Sequence, residues 1–173
     1  MERKEHEACL ISGSKDLYVL KGYEEANLVK SKPLGFVFSR SIPTSEELVK
    51  HYEKYSRQDY LSPVTIKRFD ELLAVFEKYR KTNRILDVGC GVGYFLQHAI
   101  TKGWEVYGTE FTDAAIESCS SKGINMKQGA LSTDWYENDS FDIITSFEVI
   151  EHINNPLAEV KNFYQLLRKG GIL

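Results

Sequence analysis

The spacing of apolar residues changes near residue 44 of the chain. Before it, short apolar and β-branched runs at residues 17–20 and 36–38 lie between glycine and proline turns, which predicts a small β-hairpin module over residues 1–43. Thr44 followed by Glu47 predicts a capping box and a helix over residues 45–55. A second helix that covers a sheet is predicted by helically spaced apolar residues after Pro63, namely Ile66, Phe69, Leu72, Leu73, Phe76 and Tyr79. Residues 44–82 are therefore expected to form a helical cover.

From residue 83 onward, predicted strands and helices alternate. The strands are expected at residues 84–88, 105–109, 124–128 and 141–146, and the helices at residues 94–102, 113–121 and 156–167. Alternation of this kind is typical of a mostly parallel sheet with helices on both faces. We therefore predict an α/β fold with a doubly wound domain over residues 83–173.

Composition and charge narrow the class of protein. The chain has 173 residues, of which 42% are hydrophobic, enough for one sizeable core and a small accessory module. A net charge of -3, with acidic and basic residues interspersed, argues against a nucleic-acid partner. No apolar run approaches the roughly 18 residues that span a membrane. Three widely spaced cysteines fit a reducing compartment, so we expect a cytoplasmic protein.

The most informative motif follows the strand predicted at residues 84–88. Asp87 leads into Gly89, Gly91 and Gly93, and a helix follows directly, so that bare backbone can approach a ligand. A dinucleotide site requires a further glycine at the position held here by Tyr94, and an acidic loop suits an ammonium group better than a phosphate. A nicotinamide-dependent oxidoreductase is therefore disfavoured. A tight turn that binds nothing is the other alternative.

Further candidates follow the next predicted strands. Glu110 ends the second strand, where an acidic side chain can accept hydrogen bonds from both hydroxyls of a ribose. Phe111 can cover an adenine ring. The alternatives are a solvated charge at Glu110 and a core aromatic ring at Phe111. The ends of the third and fourth strands add Gly129, Ala130, Ser146 and Phe147.

Three segments resemble motifs of the class I S-adenosylmethionine-dependent methyltransferases. Residues 85–93 are similar to the cofactor loop of that family, residues 141–152 to its fourth-strand segment, and residues 167–171 to the turn before its fifth strand. The resemblance implies a Rossmann-like sheet of seven strands and methyl transfer from S-adenosylmethionine to a small-molecule acceptor. It implies that Asp87, Gly89, Gly91 and Gly93 surround the methionine part, with Glu110 on the ribose and Gly129 and Ala130 near the adenine. Cys90 belongs to the same loop, and Ser146 and Phe147, which end the fourth strand, would flank the methionine part.

The N-terminal module resembles a zinc knuckle of the C-x-x-C type that precedes some bacterial methyltransferases. Of the four thiolate positions that the resemblance implies, only Cys9 carries a cysteine, and Ser12, Ser31 and Leu34 occupy the others. Structural zinc requires four thiolate or imidazole ligands. We therefore expect a metal-free, degenerate knuckle that is held by apolar packing.

His152 is the catalytic candidate. It is the titratable residue expected nearest the transferred methyl group, and histidine is the usual proton acceptor near neutral pH. The alternative is a histidine that only makes local hydrogen bonds. If residues 148–152 are helical, Glu148, Glu151 and His152 share one face and could hold a divalent cation, although our predicted site contains no metal. Because no residue is uniquely catalytic, a cofactor-binding module without turnover is the stronger alternative function.

The number of strands predicted before the end of the chain is smaller than the resemblance implies. The resemblance implies seven strands, whereas the pattern predicts four strands before Leu173. We therefore expect a domain that lacks its C-terminal strands from the fifth onward and is catalytically incompetent alone. The strand at residues 141–146 would then be an uncovered apolar edge, which favours pairing with a second copy in a homo-oligomer.

Overall fold

The N-terminal part of the protein is a three-stranded antiparallel sheet. The computed structural model describes residues 4–44, 47 and 61–173. The sheet consists of β1 (Leu17–Val19), β2 (Leu28–Ser31) and β3 (Val37–Ser39), in that order. The predicted hairpin was therefore incomplete, because it paired the outer strands and missed the central one. β2 has only two apolar residues, too few for a periodic signal.

Apolar packing holds this small sheet together. Cys9, Val29 and Phe38 form its buried core, with Leu10, Leu17 and Phe36 packed against them. The turn after β2 is closed by a hydrogen bond from the Gly35 amide to the Ser31 carbonyl, 2.7 Å long. Burial raises the pKa of Cys9, but hydrogen bonds to its sulfur, of which those from Ser12 are the largest, together outweigh burial and lower that pKa to about 7.

We predict that the purified protein carries no stoichiometric zinc. Among residues 4–44, 47 and 61–173, no three side chains of the metal-binding types lie together, and zinc requires four ligands. Elemental analysis of the purified chain measures the metal directly. One zinc per chain in the wild type, together with its loss in Cys9→Ser, would contradict this prediction.

The helical segment after the small sheet begins as predicted. The Thr44 amide donates to the Glu47 carboxylate at 2.9 Å, and the Glu47 amide donates to the Thr44 hydroxyl at 3.2 Å. This reciprocal pair confirms the capping box, whereas the rest of the helix predicted over residues 45–55 lies outside the described residues. Helix α1 (Pro63–Phe76) is confirmed, and its N-cap Ser62 accepts from the Thr65 amide at 3.1 Å. A short 3-10 turn, Glu77–Tyr79, follows.

A five-stranded parallel sheet forms the main body of the chain. Its strands are β4 (Arg84–Val88), β5 (Glu105–Glu110), β6 (Asn125–Gln128), β7 (Phe141–Thr145) and β8 (Leu167–Ile172). Three helices connect them, α2 (Tyr94–Thr101), α3 (Asp113–Ser121) and α4 (Pro156–Leu166). The strand order is β6-β5-β4-β7-β8, and every pair is parallel. The predicted α/β fold is confirmed.

Successive residues of the central strands supply the two faces of this sheet. Ile85 and Ile143 pack into a core with α1, α2 and α3, whereas Leu86 and Ile144 pack into a second core with α4. All four side chains are fully buried. Because both faces are covered, each strand carries apolar residues on both of them, namely Ile85, Leu86 and Val88 in β4 and Phe141, Ile143 and Ile144 in β7. This is why the sequence pattern located the two strands within one residue.

The prediction that β7 forms the sheet edge is wrong, because β8 pairs beside it. Residues 167–171 were predicted to be a turn because they resemble the turn before the fifth strand of the family. In the structure Gly170 accommodates a register irregularity at φ 81°. A Cβ on Gly171 would lie 2.8 Å from the Asp142 carbonyl oxygen, so this glycine permits close approach of the two strands. The edge on which the homo-oligomer prediction rested is therefore covered within the chain.

No helix within the described part of the chain is long and apolar enough to cross a membrane.

Candidate functional site

The strand order defines a switch point beside β4. The chain leaves β4 for β5 on one side, and β7 later pairs with β4 on the other side. In open parallel sheets, ligands bind in the crevice outside the carboxyl ends of the strands at such a point. Asp87 of β4 and Thr145 of β7 are direct neighbours there. The glycine loop therefore lies where the fold itself favours a ligand site.

A cleft of about 690 Å³ opens at this switch point. Its walls come from the loop after β4, the end of β5, the first turns of α2 and α3, helix α1, and the segment after β7. Among the residues predicted from the sequence, those that line it are Asp87, Gly89, Cys90, Gly91, Glu110 and Phe147. The two motifs that carried the prediction thus lie together in space.

The glycine loop combines crowded and open positions. Gly93 has φ 77°, and a Cβ there would lie 2.6 Å from Ile124 and 2.7 Å from the sulfur of Cys119. Gly91 has φ 55°, and a Cβ there would meet no atom within 4 Å. Gly93 therefore permits close packing of loop and helices, while Gly91 lies at the open side of the cleft.

The loop also offers hydrogen-bond donors. The amides of Gly89 and Cys90 both donate to the Thr109 carbonyl, at 3.0 and 3.1 Å. The amides of Gly91 and Val92, which line the cleft, donate to no group among the residues that the structure describes. Both residues are half-buried, and their amides lie in the loop that leads into α2, where backbone N–H groups can bind a ligand with acceptor atoms.

Asp87 is an acid at the base of the cleft. Its side chain is buried, and the Thr145 hydroxyl donates to its Oδ1 atom at 2.7 Å. Burial raises the pKa of Asp87 to about 7, against the opposing effect of the Thr145 hydrogen bond. A cationic group in the cleft would favour the ionised carboxylate, so this position favours an ammonium group over a phosphate.

Three further side chains give the cleft its chemical character. Glu110 lines one side, with its carboxylate bound to the Phe111 amide. Arg68 of α1 lines the cleft and is exposed, and its side chain makes no hydrogen bond or ion pair within the described part of the chain. Phe147 packs edge-on against Phe95, with ring centroids 5.6 Å apart. The cleft thus combines an acid, a cation and an aromatic wall.

Sequence reasoning missed the contribution of α1. The helix was interpreted only as a cover for the sheet, yet Thr65, Arg68, Phe69 and Leu72 line the cleft. A signal was present, because Thr65 and Arg68 are three residues apart and so share a helix face. The pattern could not show that this face meets the glycine loop.

Several predicted residues lie outside the lining of this cleft. Gly93 supports the loop from behind, and Phe111 is 49% exposed. The Gly129 amide already donates to the Glu110 carbonyl at 2.7 Å. The Ser146 hydroxyl is buried and has no partner among the described residues. Not among the cleft-lining residues are Gly93, Phe111, Gly129, Ala130, Ser146 and His152, the last of which lines a second cavity.

The segment after β7 does not form the helix on which the divalent-cation hypothesis depends. Only residues Ile150–His152 are helical, as one 3-10 turn, and Glu148 precedes it with φ 56°. Glu148, Glu151 and His152 therefore do not share one α-helical face. Within the described residues, no group of three potential metal ligands occurs.

Comparison with known proteins assigns the family. Residues 55–173 match the family model described as a methyltransferase domain. The chain therefore belongs to this methyltransferase-domain family. The match includes α1, the glycine loop and all five strands of the parallel sheet.

The chain is similar to individual members of known function. It is 31% identical to the ubiquinone biosynthesis O-methyltransferase of Roseobacter denitrificans over 125 residues, 67% of this chain and 49% of that protein. The chain spans about half the length of the curated relatives it matches.

Solved structures share the fold. A SAM-dependent methyltransferase from Archaeoglobus fulgidus has a TM-score of 0.55 at 21% identity, covering 72% of this chain and 56% of that one. The Haemonchus contortus phosphoethanolamine N-methyltransferase 2 in complex with S-adenosyl-L-methionine has a TM-score of 0.53 at 23% identity, covering 72% and 31%.

Proposed function

We propose that this chain binds S-adenosylmethionine in the cleft beside β4 and serves in methyl transfer to a small-molecule acceptor. The observation that carries the proposal is a single cleft lined by the buried Asp87 and by the amides of Gly91 and Val92, which have no partner within the described residues. Membership of the methyltransferase-domain family supports the same function.

The charges of the cleft fit the polar groups of this cofactor. An amino acid carries an ammonium and a carboxylate, and the cleft offers Asp87 for the first and Arg68 with the loop amides for the second. Glu110 would accept hydrogen bonds from the ribose hydroxyls. The adenine would lie towards the ends of β5 and β6, near Phe111, Gly129 and Ala130. Gly91 leaves space for the ligand because it has no side chain.

The side chains of the chain then position the reactants and exclude water. S-adenosylmethionine, when bound, supplies a methyl group activated by a positively charged sulfur. Phe95 and Phe147 form an apolar wall of the cleft, which would keep water away from the reacting groups. His152 would take the proton of an acceptor that must lose one.

A cofactor-binding module without turnover is the second candidate function. One observation favours it: His152, the catalytic candidate, does not line the cleft. A nicotinamide-dependent oxidoreductase has less support, because Tyr94 replaces the glycine that a dinucleotide loop requires.

Three proposals concern the setting of the domain. The three cysteines are free, which supports a cytoplasmic location because thiols persist in reducing compartments. The N-terminal sheet is proposed to be a degenerate zinc knuckle, since Cys9 and Ser31 are both buried at its centre. Any homo-oligomer would use a surface other than the edge of β7, because β8 pairs beside that strand.

Glu110→Ala is expected to weaken binding of S-adenosylhomocysteine by about 1.5–3 kcal/mol, on the order of 10- to 150-fold, because a carboxylate that accepts two hydroxyl hydrogen bonds is lost. Isothermal titration calorimetry with the purified chain measures this change. S-adenosylhomocysteine is the better titrant, since it cannot react.

The matched control is Glu117→Ala, which removes an exposed carboxylate of α3 that does not line the cleft. Its affinity should equal that of the wild type. Equal affinities for wild type and Glu110→Ala would overturn the ribose assignment. Tighter binding of NAD than of S-adenosylhomocysteine would overturn the function itself.

A further inference from the structure

A second cavity, of about 700 Å³, lies between the N-terminal sheet and the segment after β7. One wall is formed by Phe36 and Phe38, whose rings stack with centroids 5.7 Å apart. The facing wall includes Ile150 and Ile153. Apolar surface on both sides, with an aromatic pair on one, suits a flat ring, which gains from stacking as well as from burial.

The charged groups of this cavity select the class of ligand. Four titratable side chains line it: Glu25 and His6 from the N-terminal module, and Glu151 and His152 from the segment after β7. The lining contains no lysine and no arginine among the described residues. Two carboxylates without a fixed cation repel an anionic ligand and favour a neutral or cationic one.

The position of the cavity relates it to the cofactor cleft. Phe147 and Glu148 line the cleft, whereas Ile150 and His152 of the same short segment line the second cavity. Glu148 has φ 56°, a left-handed conformation that is costly for a residue with a side chain. This strained residue lies where the chain passes from one cavity to the other, and such conformations are concentrated at functional sites.

We propose that the second cavity is the acceptor site, and that it binds ring compounds that carry a hydroxyl or amino group and no negative charge. The ring lies between Phe36 and Ile150, and Glu25 and Glu151 exclude anions. His152, which does not line the cofactor cleft, takes part at this site. The role of this cavity as the acceptor site rests on the proposed function, whereas binding of the ring compound does not require the cofactor.

Three ligands that share one phenol ring test the charge selection. They are 4-ethylphenol, which is neutral, tyramine, which is a cation, and 3-(4-hydroxyphenyl)propionate, which is an anion. Affinities are measured by NMR titration of the full chain without cofactor. We expect tyramine to bind tightest, followed by 4-ethylphenol, and the anion to bind at least about fivefold more weakly than 4-ethylphenol.

Substitutions in the cavity test which residues cause the charge selection. The double variant Glu25→Gln with Glu151→Gln changes two exposed side chains, so it should fold normally and bring the anion within about twofold of 4-ethylphenol. Phe36→Ala should weaken all three ligands. The control pair Glu117→Gln with Glu137→Gln, which is exposed and outside the cavity, should leave the wild-type order unchanged.

The outcomes separate the two proposals. An anion that binds the wild type as well as 4-ethylphenol does, or a difference between these two ligands that the Glu25 and Glu151 changes leave unaltered, overturns the acceptor site. Absence of binding for all three ligands, with normal binding of S-adenosylhomocysteine, also overturns it and leaves the proposed function standing. The expected order without any binding of S-adenosylhomocysteine supports the ring-binding cavity and overturns the proposed function.

Discussion

Replacing Asp142 with alanine is expected to lower the free energy of unfolding by about 3–5 kcal/mol, the range for breaking a buried ion pair by removing one partner. Asp142 is completely buried. Its Oδ2 atom accepts the amides of Lys81, Thr82 and Asn83, at 2.7, 2.8 and 2.8 Å. Its Oδ1 atom accepts from the Arg168 guanidinium. One carboxylate therefore joins the entry to β4, strand β7 and strand β8.

The same contacts make this contribution dependent on pH. Burial raises the pKa of Asp142, but the hydrogen bonds from the three amides and from Arg168 outweigh burial and lower it. Because the folded-state pKa lies below the value of about 3.9 for an unfolded chain, the carboxylate stabilises the protein above that pH. This stabilisation is lost as the pH falls through the folded-state pKa.

Chemical denaturation at pH 7 measures the loss. The control is Asp134→Ala, which removes an exposed aspartate and should change the free energy of unfolding by no more than about 0.5 kcal/mol. Asp142→Ala should also unfold at a lower urea concentration than the control at every pH above about 5. A loss of under about 1 kcal/mol for Asp142→Ala would contradict the assignment of this network as a main connection of the sheet.

The sequence predicted the parts of the fold in which local pattern and burial agree. β4 and β7 are buried on both faces, so apolar residues predominate in both strands, and α1 carries its apolar residues at helical spacing. β2 was missed because Val29 is its only fully buried apolar residue. β8 was predicted as a turn by its resemblance to the family motif, whereas Gly170 lies at a register irregularity of the strand and Gly171 permits close approach to β7.

In the candidate site, too, the residues placed by local pattern were predicted, and those placed by tertiary packing were not. Asp87 lies near the end of β4 and Gly91 in the loop that follows, and Glu110 ends the adjacent strand. Parallel pairing therefore brings all three to one edge of the sheet. Arg68 reaches that edge only through the packing of α1, which no local pattern contains. His152 was expected beside the cofactor because of its position after β7, but the turn at Glu148 directs the following residues to the second cavity.

Asp87→Asn is expected to remove a large part of the loss of stability that the wild type shows as the pH rises. Burial raises the folded-state pKa of Asp87 to about 7, well above the value of about 3.9 for an unfolded chain. The stability that follows from the raised pKa is fully present below about pH 3.9 and is lost as the pH rises through 7. The difference between these two pKa values corresponds to about 4 kcal/mol in the free energy of unfolding.

Urea denaturation of both proteins at pH 5 and pH 8 isolates this contribution, because every other titrating group is shared. The Thr145 hydroxyl can still donate to the amide oxygen that replaces the carboxylate, so the variant should fold. We expect the wild type to lose at least about 2 kcal/mol more than the variant over this interval. Parallel curves for the two proteins would show that Asp87 has an ordinary pKa in the folded state.

Binding of S-adenosylmethionine should reverse the preference of Asp87 for its neutral form. An ammonium group beside the carboxylate lowers its pKa, so at pH 6, where the free protein holds the proton, binding should release close to one proton per chain. Titration calorimetry in two buffers of different ionisation enthalpy counts the released protons. By linkage, the affinity should rise by up to about tenfold per pH unit below pH 7. Asp87→Asn should bind more weakly and release no proton from this position. Equal proton release in both proteins would place the ammonium group away from Asp87 and would require a different orientation of the cofactor in the cleft.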